Sequence, residues 1–470
     1  MTDPVDVVVL GGGPGGYTAA FRAADLGLSV TLVEREPTLG GVCLNVGCIP
    51  SKALLHAAEV ITAAEHASAI GVTFGPPAID IDALRDSTAS VVGTLTRGLA
   101  GLARKRKVTV LHGTGRFTSP TRIAVEGDDG TVDVDFRHAI VAAGSRPVML
   151  PGLPDDPRIM DSTGALALAD VPNRLVVIGG GIIGLEMATV YDALGSEVTV
   201  VEALPQLMTG CDPDLVEPLL TRIRDRYAAI HVSTRVEGIT AEDDGLHVAV
   251  SGEDGADVIV ADRVLVAIGR RANGDLIGAD AAGIAVDERG VIAVDDAMRT
   301  NVAGIFAIGD ITGNPMLAHR ATHQGRVAAE VVAGNDVTFG ALTVPSVSYT
   351  DPEIAWTGLT QTEAEAAGAD VEIARIPWRA SGRALTLGRP EGLTKLITDR
   401  ESGRILGAGI TGPNAGELIG ELVLAIEMGA VVEDVALTIH PHPTLSETSA
   451  LAAEWIDGSI TDLVRPKPRS

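Results

Sequence analysis

A βαβ pattern occurs twice in this chain, and no other feature constrains its fold as strongly. The first copy opens with the apolar strand Val5-Asp6-Val7-Val8-Val9-Leu10 and the turn Gly11-Gly12-Gly13-Pro14-Gly15-Gly16. An alanine-rich helix then runs to Leu26-Gly27, and a second strand, Val30 to Val33, closes on Glu34. The second copy runs from Arg174 to Glu202, where Gly179, Gly181, Gly184, Gly195 and Glu202 follow Gly11, Gly13, Gly16, Gly27 and Glu34 at a constant offset of 168 residues. In such a G-x-G-x-x-G turn the first glycine permits a tight bend, the second lets backbone approach a pyrophosphate, and the third lets helix pack closely on strand. The helix N-terminus adds unpaired N–H groups and the positive end of its dipole. An acid at the end of the second strand is placed to accept hydrogen bonds from ribose hydroxyls. One such turn is a weak signal, but strand, helix and terminal acid accompany it twice, so two dinucleotide-binding domains are expected.

Two of the three cysteines, Cys43 and Cys48, sit with four residues between them in the stretch Gly40 to Lys52, just past the first copy. In a long chain with so little cysteine and no basic, apolar leader before the first strand, the expectation is a redox-active pair, not a structural staple. Cys211 has no neighbour in sequence and is expected to be inert. Two dinucleotide sites beside one cysteine pair point to a flavin and a nicotinamide that communicate through a redox centre, with FAD on the first copy and the nicotinamide on the second. Glu202 then favours NAD over NADP. A carboxylate suits a free 2′-hydroxyl and repels a 2′-phosphate, and Ala203-Leu204-Pro205 offers no arginine to bind one.

Composition narrows the partners. A formal net charge of −26 argues against nucleic acid, which needs clustered Lys and Arg. The one basic run, Arg104-Lys105-Arg106-Lys107, reads as a solvated helix end. No apolar run approaches the roughly 18 residues of a membrane span. A cytoplasmic protein with no membrane or nucleic-acid partner and no metal site is expected. The acidity itself fits either a high-salt cytoplasm or a biased genome.

Between the copies, Ile123-Ala124-Val125 and Val132 to Phe136 read as short strands around the turn Gly127-Asp128-Asp129-Gly130. Two further apolar strands, Ala139 to Gly144 and Val264 to Arg270, end in glycines, Gly144 and Gly269, that are expected to pass close to a bound dinucleotide. A third stretch, Thr300 and then Ile305 to Asp310, ends in an acid suited to flavin ribityl or phosphate groups. From about Thr343 no glycine fingerprint remains. Short strands and two amphipathic helices, Ala415 to Met428 and Thr448 to Ile456, fit a separate interface or substrate domain.

The Cys43–Cys48 segment, the paired fingerprints, Thr300 to Asp310, Tyr349-Thr350-Asp351-Pro352-Glu353, Gly412 to Glu417 and the terminal His440-Pro441-His442-Pro443-Thr444-Leu445-Ser446-Glu447 together resemble the flavin-dependent disulfide reductases, and among them the members that oxidise dihydrolipoyl groups. The match keeps motif order from about Val5 to Leu463. It implies an α/β, glutathione reductase-like fold: an FAD-binding domain over 1–148, an NAD-binding domain over 149–270, a central domain completing the FAD site over 271–342, and a C-terminal α+β dimerisation domain over 343–470.

By the same resemblance Cys48 is the thiol beside the flavin and Cys43 the one that exchanges with substrate. Lys52 sits near the flavin, in reach of Glu186, and Gly41, Gly115, Gly144, Asp310 and Ala318 join Gly11, Gly13, Gly16 and Glu34 around FAD. Ile183, Val236 and Gly269 join Gly179, Gly181, Gly184, Glu186 and Glu202 around NAD. His442 is the acid–base residue, oriented by Glu447, and reaches the cysteines of the other subunit of a homodimer. His440 is a packing or hydrogen-bonding residue. Pro441, where related proteins often carry alanine, is a departure that stiffens the approach to His442. The implied partners are lipoyl domains of 2-oxoacid dehydrogenase or glycine-cleavage complexes. Rival readings are a glutathione- or mercuric-reductase-like enzyme and a non-catalytic, FAD-bearing complex component. A glutathione reductase expects arginines after the second fingerprint, a mercuric reductase expects a cysteine in the tail, where Arg465 to Ser470 has none, and intact Cys43, Cys48, His442 and Glu447 argue against the non-catalytic component.

Overall fold

The computed structural model describes residues 3–253 and 255–464; the tail Arg465 to Ser470 lies outside them. The first glycine unit builds a mostly parallel sheet in the order Thr109–His112, Val30–Glu34, Val5–Leu10, Gly130–Val141, continued antiparallel by Arg122–Gly127 and Thr114–Ser119. Val7, Val8 and Val9 are fully buried. Continuous burial, without alternation, is what a parallel strand covered on both faces requires.

Here the sequence expectation needs correction. Val132 to Phe136 and Ala139 to Val141 are not separate strands but parts of one 12-residue strand, Gly130–Val141. Its first half pairs antiparallel with Arg122–Gly127 and starts with four exposed residues; its second half runs parallel to Val5–Leu10 and ends in the buried Ala139, Ile140 and Val141. The change from half-solvated ribbon to covered sheet alters the hydrophobic pattern midway, so that one strand reads as two. Ile305–Ala307 adds to the other side of Ala139–Val141. That pairing brings Asp310 to the first unit from beyond the second glycine unit.

The second glycine unit repeats the arrangement in a parallel sheet, ordered Ala229–His231, Glu197–Val201, Arg174–Ile178, Arg263–Val266, Ile159–Met160. An antiparallel meander, Arg235–Glu242, Gly245–Gly252 and Gly255–Ala261, lies beside it. A short antiparallel pairing of Ser145–Pro147 with Arg270–Ala272 links the two units.

The C-terminal part is an antiparallel sheet, Ser346–Ser348, Ile354–Gly358, Ile405–Thr411, Leu393–Asp399, Val371–Pro377. Helices Ala415–Glu427 and Glu447–Asp457 bury Ile419, Leu422, Ala452 and Ala453 in its core. Lys395 ties this sheet to the second glycine unit: its side chain is 1% exposed and its Nζ lies 2.8 Å from Asp212 and 2.9 Å from Asp214. A buried ammonium is tolerable only when paired in this way. The basic run ends the helix Ile81–Lys105, with Arg106 donating to Asp25 at 2.9 Å.

Candidate active site

Each glycine loop is shaped by what a side chain would strike. A Cβ on Gly11, whose φ is +107°, would lie 2.3 Å from the Ala142 carbonyl oxygen, and one on Gly16 would lie 1.8 Å from the Gly11 carbonyl oxygen. In the second loop a Cβ on Gly179 (φ +109°) would meet the Ala267 carbonyl oxygen at 2.4 Å, and one on Gly184 the Gly179 carbonyl oxygen at 2.1 Å. The outer glycines therefore serve packing, and neither Gly16 nor Gly184 reaches the cavity wall. The middle glycines differ. Around Gly181 a Cβ would meet nothing within 4 Å, and around Gly13 only the Gly41 Cα at 3.9 Å. Both loops thus present bare backbone at a helix N-terminus, the first bordered by Gly41 and the second open, a cradle that fits a dinucleotide pyrophosphate.

The terminal acids do something the sequence reading does not contain. Glu34 accepts the Gly12 N–H at 2.7 Å, and Glu202 accepts the Gly180 N–H at 2.6 Å. Their second oxygens accept the N–H groups of Glu36 and Leu204 at 2.9 and 2.8 Å. Each carboxylate braces its own loop, and the constant spacing between middle loop and acid is the sequence trace of that brace.

One cavity of about 2070 Å³ joins the two cradles. Its wall includes Gly11, Gly13, Glu34, Gly41, Gly115, Gly144, Asp310 and Ala318 from the first group and Gly179, Gly181, Ile183, Glu186, Glu202, Val236 and Gly269 from the second, with Cys43, Cys48 and Lys52 between them. The cysteines stand on consecutive helices, Gly41–Val46 and Cys48–His66. This segment lies directly on the first loop, since a Cβ on Gly41 would sit 2.6 Å from the Gly13 Cα.

Both cysteines are thiols in this structure, and they are inequivalent. The hydrogen bond from Cys43 stabilises the Cys48 thiolate, and the Lys52 ammonium adds to it against the cost of partial desolvation, so the Cys48 thiol is held below its ordinary value. Cys43 moves far upward, because it donates that hydrogen bond and stands, half-buried, beside the same negative charge. Cys48 also opens its helix, where unpaired backbone N–H groups favour an anion. Cys211 is buried and pushed upward by desolvation.

Lys52 Nζ lies 2.9 Å from each oxygen of Glu186, on the helix Ile182–Leu194 of the second unit. The ion pair thus crosses from one cradle to the other beneath Cys48. Three wall residues are given no role by the sequence, although Tyr349 belongs to one of its motifs. Ser145 donates from its hydroxyl to Asp310 at 2.5 Å, while Arg270 donates to that hydroxyl at 2.7 Å and to the Ser145 carbonyl at 2.8 Å. Tyr349 donates its backbone N–H to Glu186 at 3.1 Å. Ser145 and Arg270 directly follow Gly144 and Gly269, so adjacency to a strand-ending glycine was the available signal.

His442 and Glu447 are paired but stand elsewhere. His442 Nδ1 is 2.8 Å from Glu447, whose other oxygen accepts the Thr444 N–H at 2.8 Å. Burial would raise the Glu447 carboxyl, but the Thr444 amide and the His442 ring outweigh it and hold it below its ordinary value. An ionised Glu447 accepts from Nδ1–H and leaves Nε2 free to take a proton. The His442 side chain is 79% exposed and off the cavity wall. His440, by contrast, is buried between Glu421 and the Thr438 carbonyl at 2.7 and 2.9 Å.

Residues 5–325 match the family model described as pyridine nucleotide-disulphide oxidoreductase, and residues 344–453 match the dimerisation domain of the same family. The chain is 54% identical to a dihydrolipoyl dehydrogenase of Vibrio cholerae over 98% of both chains, and 54% identical to one of Haemophilus influenzae over 98% of this chain and 97% of that one. A dihydrolipoyl dehydrogenase of Bacillus subtilis is 42% identical over 98% of both. Among solved structures, LpdA of Mycobacterium tuberculosis superposes with a TM-score of 0.88 at 28% identity, covering 96% of this chain and 99% of that one. The flavoprotein disulfide reductase RclA of Escherichia coli superposes at 0.84 and 27% identity, covering 96% and 99%.

The chain belongs to the pyridine nucleotide-disulphide oxidoreductase family and is a flavoprotein of its glutathione reductase-like fold. Its dimerisation domain supports a homodimer, and in that part of the single chain Met428, Leu437 and Ile439 are 75, 73 and 96% exposed, apolar surface of the kind a second copy covers. Among the described residues no helix is long and apolar enough to cross a membrane, and no cluster of three or more His, Cys, Asp or Glu could hold a metal.

Proposed function

We propose that this chain is a dihydrolipoyl dehydrogenase that passes electrons from a dihydrolipoyl group, through Cys43 and Cys48 and a bound FAD, to NAD⁺. The observation that carries the reading is the single cavity wall on which both glycine cradles and both cysteines meet; the close relatives named above choose the substrate. FAD would lie on the first cradle, held by Gly11, Gly13 and Asp310, and when bound supplies a two-electron path between cysteine and nicotinamide. NAD⁺ belongs to the second cradle as an exchanging substrate, not a resident cofactor.

The cysteines cycle between disulfide and dithiol. A dihydrolipoyl thiol attacks Cys43 Sγ, its proton passes to Nε2 of His442, and Cys48 leaves as a thiolate. The second lipoyl thiol then attacks the lipoyl sulfur of the mixed disulfide, the lipoyl S–S bond forms, Cys43 departs as a thiol with the proton returned by His442, and the proton of the second lipoyl thiol takes its place on Nε2. Lys52 holds charge at Cys48 throughout, and Glu447 fixes the imidazole tautomer. His442 stands off the wall of its own chain's cavity, so the histidine is supplied by the second subunit and each site is built from two chains. We divide the chain at 148, 270 and 342 into FAD, NAD, central and interface domains. Lipoyl domains of 2-oxoacid dehydrogenase or glycine-cleavage complexes are the partners, and the cytoplasm is the compartment, where such a cysteine pair cycles freely.

The test is anaerobic. Dihydrolipoamide added to the purified holoprotein should produce a long-wavelength thiolate-to-flavin absorption, and NAD⁺ added next should yield NADH while NADP⁺ does not. A flavin that stays oxidised in dihydrolipoamide would sink the substrate assignment.

A further inference from the structure

Tyr349 reaches the cavity from the C-terminal sheet, at the end of the strand Ser346–Ser348, and touches the redox machinery in two ways. Its backbone N–H donates to Glu186 at 3.1 Å, and its ring lies under the Lys52 ammonium, with Nζ 4.4 Å from the ring centroid. Lys52 therefore has two holds, a carboxylate on one side and an aromatic face on the other. The two are unequal in chemistry. Glu186 attracts the ammonium but also places negative charge near Cys48, which opposes its ionisation. The ring attracts the cation through its quadrupole and carries no net charge.

We propose that Tyr349 is a positioning residue for the redox pair: its ring holds the Lys52 ammonium where it stabilises the Cys48 thiolate. The inference rests on the reading of Cys48 as the flavin-side thiol. A lysine side chain is long and flexible, and Glu186 holds the ammonium from one side only, whereas the ring fixes it from a second element. The charged and titratable groups that face Cys48 are Cys43 on the preceding helix, Lys52 one turn along its own helix, Glu186 on the second unit's helix, Arg270 on the linking strand and Tyr349 on the C-terminal sheet. Tyr349 itself faces Glu353, Glu186 and Glu417, all acidic, and Cys48. None of these can replace the ring as an uncharged partner for the ammonium.

The experiment uses holoenzyme in a Cys43→Ser background, where Cys48 alone titrates against the flavin, and reads the pH midpoint of the long-wavelength thiolate absorption. Tyr349→Leu should raise that midpoint by roughly half a pH unit, the size of a partly exposed cation–π contact. Tyr349→Phe keeps the ring and should leave the midpoint at the parent value. Phenylalanines of increasing ring fluorination at 349 keep the shape while draining the quadrupole, and should raise the midpoint stepwise even if the leucine variant fails to hold flavin. Equal midpoints across the fluorinated series, or equal shifts for Leu and Phe, would overturn the role of the ring. Absence of any titrating band in the Cys43→Ser parent is a different result. It removes Cys48 from the flavin side and takes the inference down with the reading beneath it.

Discussion

The two glycine units are the same device in different surroundings, and the difference teaches more than the likeness. Both loops close with outer glycines packed tightly against backbone and a terminal carboxylate bracing the second glycine's N–H. Past the first loop, however, the chain folds back over its own cradle: the Gly41 Cα stands beside Gly13, and Glu34 is only 5% exposed. At the second loop nothing stands within 4 Å of a Cβ on Gly181, Ile183 and Leu204 are 37 and 47% exposed, and Glu202 is only half-buried. A group held by the first unit is roofed by the redox segment, whereas one held by the second can come and go. Retention on one side and exchange on the other is what a resident FAD and a turning-over NAD⁺ need.

The largest effect should come from the roof. Cys48→Ser or Cys43→Ser should cut dihydrolipoamide oxidation at least ~10³-fold, because a covalent exchange step loses its sulfur. Bound flavin should remain, and NADH should still reduce small dye acceptors, since the second unit is untouched. Loss of flavin in both variants would break the idea that roof and cradle have separate duties. His442→Gln comes next, with an expected fall of roughly 10²–10⁴-fold in the same reaction and little change in dye reduction. If His442→Gln and Cys43→Ser chains are mixed and re-dimerised, hybrids should recover part of the activity, as sites shared between subunits require. No recovery would place His442 and the cysteines of one site in the same chain.

Gly181→Ala sharpens the comparison at smaller scale. The methyl enters open space, so the fold should stand, but it occupies the path of a pyrophosphate. KM for NAD⁺ should rise by roughly tenfold to a hundredfold with full flavin content. Gly13→Ala places the same methyl under the Gly41 roof and should instead be read as flavin lost on dilution. If the two substitutions act alike, the roof does not distinguish the units.

How far this was legible in the sequence depends on the range of the signal. Local patterns, the two βαβ units and their glycines, came through because each is set by backbone sterics within about thirty residues. The strand Gly130–Val141 did not, because its burial changes where its partner changes, and partners are not written locally. Ser145, Arg270 and Tyr349 were missed for a related reason. Each acquires its place by pairing with a residue more than a hundred positions away, Arg270 with Ser145 and Tyr349 with Glu186. His442 shows the extreme case. Its hydrogen bond to Glu447 is local and readable from the terminal motif, whereas nothing in one chain's cavity accounts for it.

The smallest expected effect tests the two carboxylates against each other. Glu34 and Glu202 make the same pair of backbone hydrogen bonds, so bracing alone predicts the same outcome when either becomes glutamine: a looser loop and weaker retention of its own ligand. Glu202 has a second duty on the sequence argument, because its negative charge repels a 2′-phosphate, and its partial exposure leaves it facing whatever enters the open cradle. Glu202→Gln keeps an oxygen for the loop and removes the charge. The ratio of kcat/KM for NAD⁺ over NADP⁺ should therefore fall about tenfold, equivalent to one modest charge-assisted contact. Glu34→Gln, under the roof, should leave that ratio unchanged and act only on flavin retention. An unchanged ratio in Glu202→Gln would mean that the second carboxylate, like the first, is only a brace, and that the choice of NAD rests on the absence of arginine after the second strand.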